Sequence, residues 1–302
     1  MKKTNVYLIL LLGVLGVSFS AIFIKSTKAP SNIIAFYRMV MTFFLFLPVT
    51  LVTGRDEIKS IKGRDYLWCI LSGFFLALHF ITWITSLKYT TVASSTVLVS
   101  LSPVFTAFIG FLLFKERLNK RSLIGMSVAI FGSAIMGLSN LHLGSGSIFG
   151  DILALSGALF GALYITIGRG MRKKISTLSY GFLVYGSCGL VLLIINLILR
   201  TPLFVYSMKD YLLFFGMAVF CTIGGHTIFN WSLKYLEANK VSTFMLGEPI
   251  GATIWAALLL KELPEAGQLI SSLIILFGLY IFIYSAIKEG KAEDSLSKQL
   301  EV

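Results

Sequence analysis

Long apolar runs, separated by short polar connections, fill almost the whole chain of 302 residues. Each run approaches the roughly 20 residues that an α-helix needs to cross the hydrocarbon core of a bilayer. The runs lack the polar and apolar alternation of barrel strands, and an open strand would leave backbone groups unpaired in lipid. The pattern therefore predicts an all-α integral membrane protein with ten transmembrane helices, at residues 5–24, 33–53, 66–86, 92–114, 122–139, 149–168, 178–199, 211–233, 241–260 and 267–287.

The first run has a second interpretation. Two lysines near the start, a leucine-rich stretch and the small residues Ser18, Ser20 and Ala21 are also typical of a secretory signal peptide. The apolar stretch continues through Ile24, however, which makes it long enough to cross a bilayer. We therefore predict that it is retained as the first span.

One stretch of sequence occurs twice, 146 residues apart. The Ser-Leu-Lys-Tyr sequence at 86–89 returns at 232–235, and residues 86–135 and 232–281 share 14 identities in 50 without a gap. The matches include a proline and a Lys-Glu pair, which apolar bias alone does not explain. A duplication of this size fixes the architecture. In a membrane protein it also indicates a transporter whose site lies between the halves.

The composition agrees with a lipid environment for most of the chain. Hydrophobic residues make up 56% of it and charged residues only 13%, against about 25% charged residues in soluble domains. The net charge of +12 could suggest a nucleic-acid partner, but the basic residues are scattered through short connections, so we exclude that class. Cys69, Cys188 and Cys221 lie inside apolar runs and form no CxxC motif, so we predict core or lipid-facing positions and no metal site.

The basic residues are concentrated on one side of the predicted membrane. With the N-terminus inside, 19 of the 26 Lys and Arg residues fall in inner segments, six fall in outer ones, and Arg38 lies within a span. Because positive residues are retained on the cytoplasmic side, we predict a multi-pass protein of the cell (inner) membrane with both termini cytoplasmic. Five spans is an odd number, so the repeats, residues 1–140 and 141–287, would be inverted, with a cytoplasmic tail at 288–302.

These repeated features resemble the EamA-type transporters of the drug/metabolite transporter superfamily. The likeness rests on two sets of five spans, on Arg38 in the second span, and on short motifs that follow the same order in each half. In the first half these motifs are Leu87-Lys88-Tyr89, Pro103 and Glu116. In the second half they are Leu233-Lys234-Tyr235, Glu248-Pro249 and Glu262. It implies a membrane-embedded solute transporter. Some members of that family export amino acids, metabolites or drugs, others import or exchange their solutes, and relatives carry sugars or nucleotide-sugars. The resemblance therefore selects no single solute.

Ionisable residues inside spans cost about 3 kcal/mol each on insertion scales, so each is a candidate for function. Glu248 directly precedes Pro249 in the ninth span. A proline bends its helix and frees a carbonyl one turn earlier, and carbonyls beside a carboxylate suit a cationic group or a proton. The alternative is a carboxylate that only joins two helices. Pro103 is the corresponding predicted helix break in the first half.

Two histidines each have a neighbour four residues away, on the same face of a helix. His226 and Asn230 in the eighth span could line a cavity or form a hydrogen bond between helices. His79 and Trp83 in the third span could form a pocket wall on one stripe with Ser86, or Trp83 could lie at the membrane interface.

Arg38 has three candidate roles, about six residues from the outer end of the second span. Its side chain could reach the outer headgroups. It could pair with Asp151 at the start of the sixth span, or it could bind a substrate carboxylate through two parallel hydrogen bonds.

Four further residues are candidates for the transport pathway. Phe160 and Tyr164 share one face of the sixth span, where Tyr164 could offer its hydroxyl to the solute, although nearby glycines favour helix packing. Ser95 and Thr96 in the fourth span could line a cavity or bond back to their own helix.

These features favour a secondary transporter in which alternating access exposes a central site to either side. The sequence has no Walker A motif, so nothing predicts ATP. A proton on Glu248 or on a histidine is the candidate coupling ion, and facilitated diffusion is the alternative. A membrane enzyme would need clustered catalytic groups, and neither HExxH nor GxSxG occurs. A receptor or scaffold would normally carry a larger soluble part.

The combination of Arg38, His79 and Glu248 with many aromatic residues fits a zwitterion with an apolar side chain. We therefore expect a small solute, an amino acid or a related metabolite, moved in the direction of export without a cofactor. A drug, a nucleotide-sugar or another metabolite exchanged by the same fold is the alternative. A membrane scaffold that transports nothing is the alternative from a different class.

Overall fold

The computed structural model describes residues 3–90, 95, 98–99, 101–115, 118–139, 148–260 and 266–300. Every regular element in these ranges is helical and none is a strand, which confirms the predicted all-α class. The helices in chain order are α1 (Asn5–Ile24), α2 (Ser31–Ser60), α3 (Gly63–Ser86), α4 (Ser102–Phe114), α5 (Lys120–Ser139), α6 (Ile148–Arg172), α7 (Thr177–Ile198), α8 (Met208–Ser232), α9 (Ala238–Leu259) and α10 (Ala266–Leu300).

Each predicted span overlaps one of these helices. Seven of them, α1, α2, α3, α6, α7, α8 and α9, are long and apolar enough to cross a membrane. Helix α4 is 13 residues long and begins at Ser102, and the described residues Ser95, Leu98 and Val99, in the earlier part of the predicted span, are also helical. In α10 only Leu269–Ser285 is an apolar segment, and the helix continues to Leu300 through the predicted tail.

One continuous core of buried apolar side chains joins α1, α2, α3, α6, α7, α8 and α9. Large apolar residues also cover the outside of the molecule, as shown by the exposure of Phe108, Phe131, Leu190 and Phe277. Apolar side chains on both the inside and the outside are expected where lipid rather than water surrounds the helices.

Four helices change their geometry along their length. Helix α1 is interrupted at Phe19: its first part ends at Ser18 and its second part begins at Ser20. In α2 the residues Thr50–Gly54 are wound as a π-helix. In α8 the ten residues Met217–His226 are wound as a π-helix, a form that is frequent at functional sites. In α9 a 3₁₀ turn, Met245–Gly247, precedes the segment Glu248–Trp255.

The two prolines predicted as helix breaks each lie at the start of a helical segment. Pro103 is the second residue of α4, and Pro249 is the second residue of Glu248–Trp255. The prediction that the proline leaves an unpaired carbonyl one turn earlier in α9 is wrong. The Met245 carbonyl accepts a hydrogen bond from the Glu248 N–H, because the 3₁₀ turn brings that donor to it.

Helices α5 and α10 pack closely at glycine residues. A Cβ atom on Gly278 would lie 2.5 Å from the backbone nitrogen of Ala129, and one on Gly132 would lie 2.9 Å from the backbone nitrogen of Ile275. Only glycine allows two helix backbones to approach so closely. The two contacts correspond under the sequence repeat, because Gly132 and Gly278 are 146 residues apart and so are Ala129 and Ile275.

Candidate functional site

A cavity with a volume of about 110 Å³ lies between α1, α2, α3, α4, α6, α8 and α9. Most of its wall is apolar or aromatic, which is typical of small-molecule sites. It brings together eight residues that the sequence predicted for the transport pathway or its helix breaks, namely Arg38, His79, Trp83, Pro103, Tyr164, His226, Glu248 and Pro249.

Arg38 of α2 is the most deeply buried charged group at this cavity, with 1% of its surface exposed. Its Nε donates to the Thr222 hydroxyl (2.8 Å) and its Nη1 makes a longer contact of 3.4 Å with the Ser20 hydroxyl. The guanidinium carbon lies 4.5 Å from the centre of the Phe80 ring, a cation–π contact. All of these partners are neutral.

Part of the Arg38 guanidinium is unsatisfied in the described part of the chain. Its Nη2 has no hydrogen-bond partner there, and no carboxylate reaches ion-pair distance. The structure shows no pair between Arg38 and Asp151 among the described residues, and the Asp151 carboxylate accepts a hydrogen bond from Thr90 (2.6 Å) at the start of α6. Since buried charges are normally paired, an unpaired guanidinium at a cavity is a candidate for binding an anion.

Glu248 of α9 lines the same cavity and is half-buried. Among the described residues, none donates a hydrogen bond to its carboxylate. Its backbone carbonyl accepts a hydrogen bond from the Ser18 hydroxyl (3.1 Å). That bond joins the interruption in α1 to the interruption in α9, so two irregular segments meet beside the carboxylate.

His79 of α3 is held against α6 and beside Trp83. Its Nδ1 lies 2.8 Å from the Gly157 carbonyl oxygen. A Cβ atom on Gly161 would lie 2.9 Å from the same nitrogen, so the absence of a side chain at Gly161 makes room for the ring. The ring stacks on Trp83 with centroids 6.1 Å apart. The predicted pocket wall of His79 and Trp83 does not extend to Ser86, whose hydroxyl bonds to Ser95 (2.7 Å).

His226 ends the π-helical segment of α8 and is surrounded by rings. The centroids of Phe80 and Tyr164 lie 5.4 Å and 6.1 Å from that of His226. Its Nδ1 is buried without a partner among the described residues. The same π-helical segment presents Thr222 to Arg38, and the Thr222 hydroxyl also lies 3.4 Å from the Met217 carbonyl, five residues earlier.

Asn230 lies one turn beyond His226 and does not line the cavity. Its Oδ1 accepts a hydrogen bond from the Tyr164 hydroxyl (2.8 Å) and its Nδ2 donates to the Tyr185 hydroxyl (3.2 Å), which lies 2.8 Å from the Thr227 hydroxyl. All three of Asn230, Tyr164 and Tyr185 are fully buried. The network fixes the position of Tyr164, so Asn230 supports the site from behind.

The other predicted pathway residues lie elsewhere. Phe160 stacks on Phe75 with centroids 6.2 Å apart and is not part of the cavity wall. Ser95 is buried and bonded to Ser86. Thr96 lies outside the described residues. In the described part of the chain, no group of three or more His, Cys, Asp or Glu residues could hold a metal ion.

Sequence reasoning missed several residues of the site. Thr222 and Ser20 bind Arg38, and Phe80 lies beneath its guanidinium. The repeat itself contained a usable signal, since positions 146 apart often line the cavity together. These pairs are Phe80 and His226, Val99 and Met245, Ser102 and Glu248, and Pro103 and Pro249.

Comparison with known proteins gives consistent results. The sequence model of the EamA-like transporter family matches residues 4–138 and again residues 148–284. An uncharacterized transporter of Archaeoglobus fulgidus is 25% identical over 289 residues, which cover 92% of this chain and 97% of that protein. The uncharacterized transporter YxxF of Bacillus subtilis is 23% identical over 274 residues, or 89% of this chain and 86% of its own. A protein crystal structure matches 100% of both chains with a TM-score of 0.77 at 15% identity, which shows a shared fold.

Proposed function

Because the chain belongs to the EamA-like transporter family, it is a multi-pass membrane transporter and not an enzyme, and we propose that it exports a small zwitterion, an amino acid or a related metabolite. The family and the relatives named as transporters establish the transport function. The choice of solute comes from the cavity, and export is carried over from the members of the family that it resembles.

One observation carries the proposal: Arg38 and Glu248 line one cavity, and neither is neutralised by an ion pair within the described residues. Arginine binds carboxylates through two parallel hydrogen bonds, and a carboxylate at an interrupted helix suits an ammonium group. A zwitterion would supply both partners at once. Opposite charges that are costly to bury would then be satisfied only while the solute is bound.

The rest of the wall supports an apolar side chain on that solute. Phe80, Trp83, Ile165 and Met245 surround the polar groups. A sugar would instead need several hydrogen-bonding side chains around its hydroxyl groups, since a buried polar group without a partner costs about 1–3 kcal/mol. Several polar side chains of the wall already have partners: Ser20 contacts Arg38, Tyr164 donates to Asn230, and Ser242 donates to the Asn239 carbonyl. This favours the zwitterion over a sugar.

We propose alternating access between two inverted repeats, residues 1–140 and 141–287, in a ten-span topology with cytoplasmic termini. Support comes from the sequence repeat with its spacing of 146 residues and from pairs of cavity residues that have the same spacing. One such pair is Phe80 and His226, whose ring centroids lie 5.4 Å apart. Residues that contact their own repeat equivalent lie near a pseudo-two-fold axis. A cavity on such an axis can open to either side as the halves exchange conformations.

Efflux from proteoliposomes tests the proposal. The vesicles are loaded with a mixed pool of amino acids, aromatic metabolites, sugars and nucleotide-sugars, and the loss of each is followed by mass spectrometry with and without a pH gradient. We expect selective loss of amino acids with apolar side chains. Selective loss of sugars or nucleotide-sugars, or no loss above empty-lipid vesicles, would contradict the proposal.

The same measurement addresses the coupling ion. Glu248 and the two cavity histidines are the groups that could carry a proton through the site. If a proton accompanies the solute, an imposed pH gradient drives solute movement against its concentration gradient. If rates depend on the solute gradient alone, the transporter is a facilitator.

A further inference from the structure

We infer that His79 determines specificity by accepting a hydrogen bond from an N–H or O–H group of the solute. The inference rests on the proposed transport of a small solute through this cavity and adds a requirement to it. The solute must present an N–H or O–H donor at the position where His79 meets the cavity, either on the ammonium that Glu248 binds or on a further group.

The hydrogen bond behind the ring determines which nitrogen of His79 is the acceptor. Nδ1 lies 2.8 Å from the Gly157 carbonyl oxygen. A carbonyl oxygen only accepts, so Nδ1 must carry the hydrogen that it donates. In the neutral imidazole the other nitrogen, Nε2, then has a lone pair and no hydrogen. It can accept a hydrogen bond and cannot donate one.

The orientation of the ring turns Nε2 away from α6. Nδ1 is the ring atom that faces Gly161, where a Cβ atom would lie 2.9 Å from it and 3.3 Å and 3.6 Å from its two ring neighbours, Cε1 and Cγ. The edge opposite Nδ1, formed by Nε2 and Cδ2, therefore points away from α6, and His79 belongs to the cavity wall. Within the described chain Nε2 has no hydrogen-bond partner. Stacking on Trp83 holds the ring in this orientation.

A solute without a suitable donor would leave this acceptor unpaired. An unmade hydrogen bond to a buried neutral acceptor typically costs enough to change affinity by about tenfold. Two classes of solute group could supply the donor, the ammonium itself or a hydroxyl or N–H on the side chain. Both present the same chemistry to Nε2, and matched solutes separate them.

The test compares kcat/KM ratios for matched solutes in proteoliposomes. The first pair is a transported amino acid and its N,N,N-trimethyl derivative. The second pair is a transported amino acid whose side chain carries an O–H or N–H group and the O- or N-methyl derivative of that amino acid. We expect the wild type to prefer the donor-bearing member of one pair by about tenfold. His79→Phe, which keeps a ring beside Trp83, should abolish the preference if it lies in the side-chain pair and reduce it if it lies in the ammonium pair, where Glu248 also binds the N–H groups. His79→Gln, whose amide oxygen is an acceptor, should restore most of it.

A second pair of variants tests whether α6 positions the ring. Gly161→Ala places a methyl group against His79, so it should reduce the same preference. Gly170→Ala is the matched control on the same helix, because its Cβ atom would lie 3.5 Å from Phe114, an ordinary contact. This control should keep the wild-type preference. Thermal unfolding of each purified variant identifies any that fails to fold.

Each outcome has a defined meaning. Wild-type ratios for both solute pairs in a folded His79→Phe would overturn the inference while the proposed transport of zwitterions stands. Equal rates for both members of each pair in the wild type would overturn it as well. A wild-type protein that moves no zwitterion at all would overturn the proposed function, and this inference with it.

Discussion

Replacing Arg38 with methionine separates a binding role from a structural one. Methionine is unbranched, apolar and adaptable, so it can occupy much of the space of the arginine stem. The charge is removed from a site where its partners are the hydroxyls of Thr222 and Ser20 and the ring of Phe80. The variant therefore loses the guanidinium without leaving a carboxylate unpaired.

The effect on stability should be small because opposing contributions nearly cancel. Removing an arginine from a span relieves about 3 kcal/mol on insertion scales. The lost charged hydrogen bond to Thr222 costs about 1.5–3 kcal/mol, and the lost contact with Phe80 costs about 1 kcal/mol. The 3.4 Å contact with Ser20 is too long to add much. We expect the free energy of unfolding to change by about 1 kcal/mol or less.

The effect on transport should be large. The solute carboxylate would lose two charge-assisted hydrogen bonds, worth about 1.5–3 kcal/mol each, so we expect kcat/KM for efflux to fall by at least about 100-fold. Arg55→Met is the matched control, since Arg55 is exposed and away from the cavity. It should alter neither property.

The assays are thermal unfolding of the purified protein and efflux from proteoliposomes. A folded Arg38→Met that transports within threefold of the wild type would refute the reasoning about the carboxylate site. A variant that does not fold, with a normal Arg55→Met, would show that Arg38 is structural.

Three further predictions concern other parts of the molecule. Glu248→Gln keeps the shape of the side chain and removes its charge, so efflux of zwitterions should fall at least about tenfold with an unchanged unfolding temperature; normal flux would contradict the role of Glu248. The Glu57 carboxylate accepts hydrogen bonds from Ser176 and Ser179 and so ties the end of α2 to the start of α7. Glu57→Ala should therefore lower the free energy of unfolding by about 1–2 kcal/mol. The control Asp56→Ala, at the exposed neighbouring residue, should lower it by less than about 0.5 kcal/mol. Equal effects of the two substitutions would argue against a stabilising role for the hydrogen bonds of Glu57. Gly278→Ala should cost about 1–3 kcal/mol because α5 and α10 must separate, whereas Gly63→Ala, which meets nothing within 4 Å, should be tolerated in the same chemical-unfolding assay.

The positions of the helices were predictable because lipid allows only a few backbone solutions. Long apolar runs become helices wherever no water can satisfy the peptide groups. The differences lie at helix ends. Helix α4 has its first residue at Ser102, beside Pro103, although Leu98 and Val99 before it are also helical, and α10 continues through polar residues to Leu300. Hydropathy registers the apolar length of a run, whereas these ends depend on backbone geometry and on polar residues that can also be helical.

Local periodicity predicted part of the site. His79 and Trp83 reach the cavity together because α3 is a regular helix there, where residues four apart share a face. His226 and Asn230 have the same spacing, yet only His226 reaches the cavity, since Asn230 bonds to Tyr164 and Tyr185 behind it. The periodicity of one helix does not predict which other helix packs over each residue on its face.

The contacts of Arg38 could not be read from the sequence at all. Its partners Thr222 and Ser20 lie on α8 and α1, and Thr222 belongs to a π-helical segment. No propensity signals a π-helix of ten residues, and an α-helical register would point Thr222 in another direction. Tertiary packing decided this part of the site.

The contact between α5 and α10 has the form of a dimer interface within one polypeptide. Gly132 meets Ile275 while Gly278 meets Ala129, so the same surface is used by both partners with the two roles exchanged. This reciprocity defines an isologous contact between identical subunits. A chain that carried one copy of the repeat would therefore encode both sides of the contact. Two half-length polypeptides, separated between residues 140 and 147 and produced together, should associate through this surface.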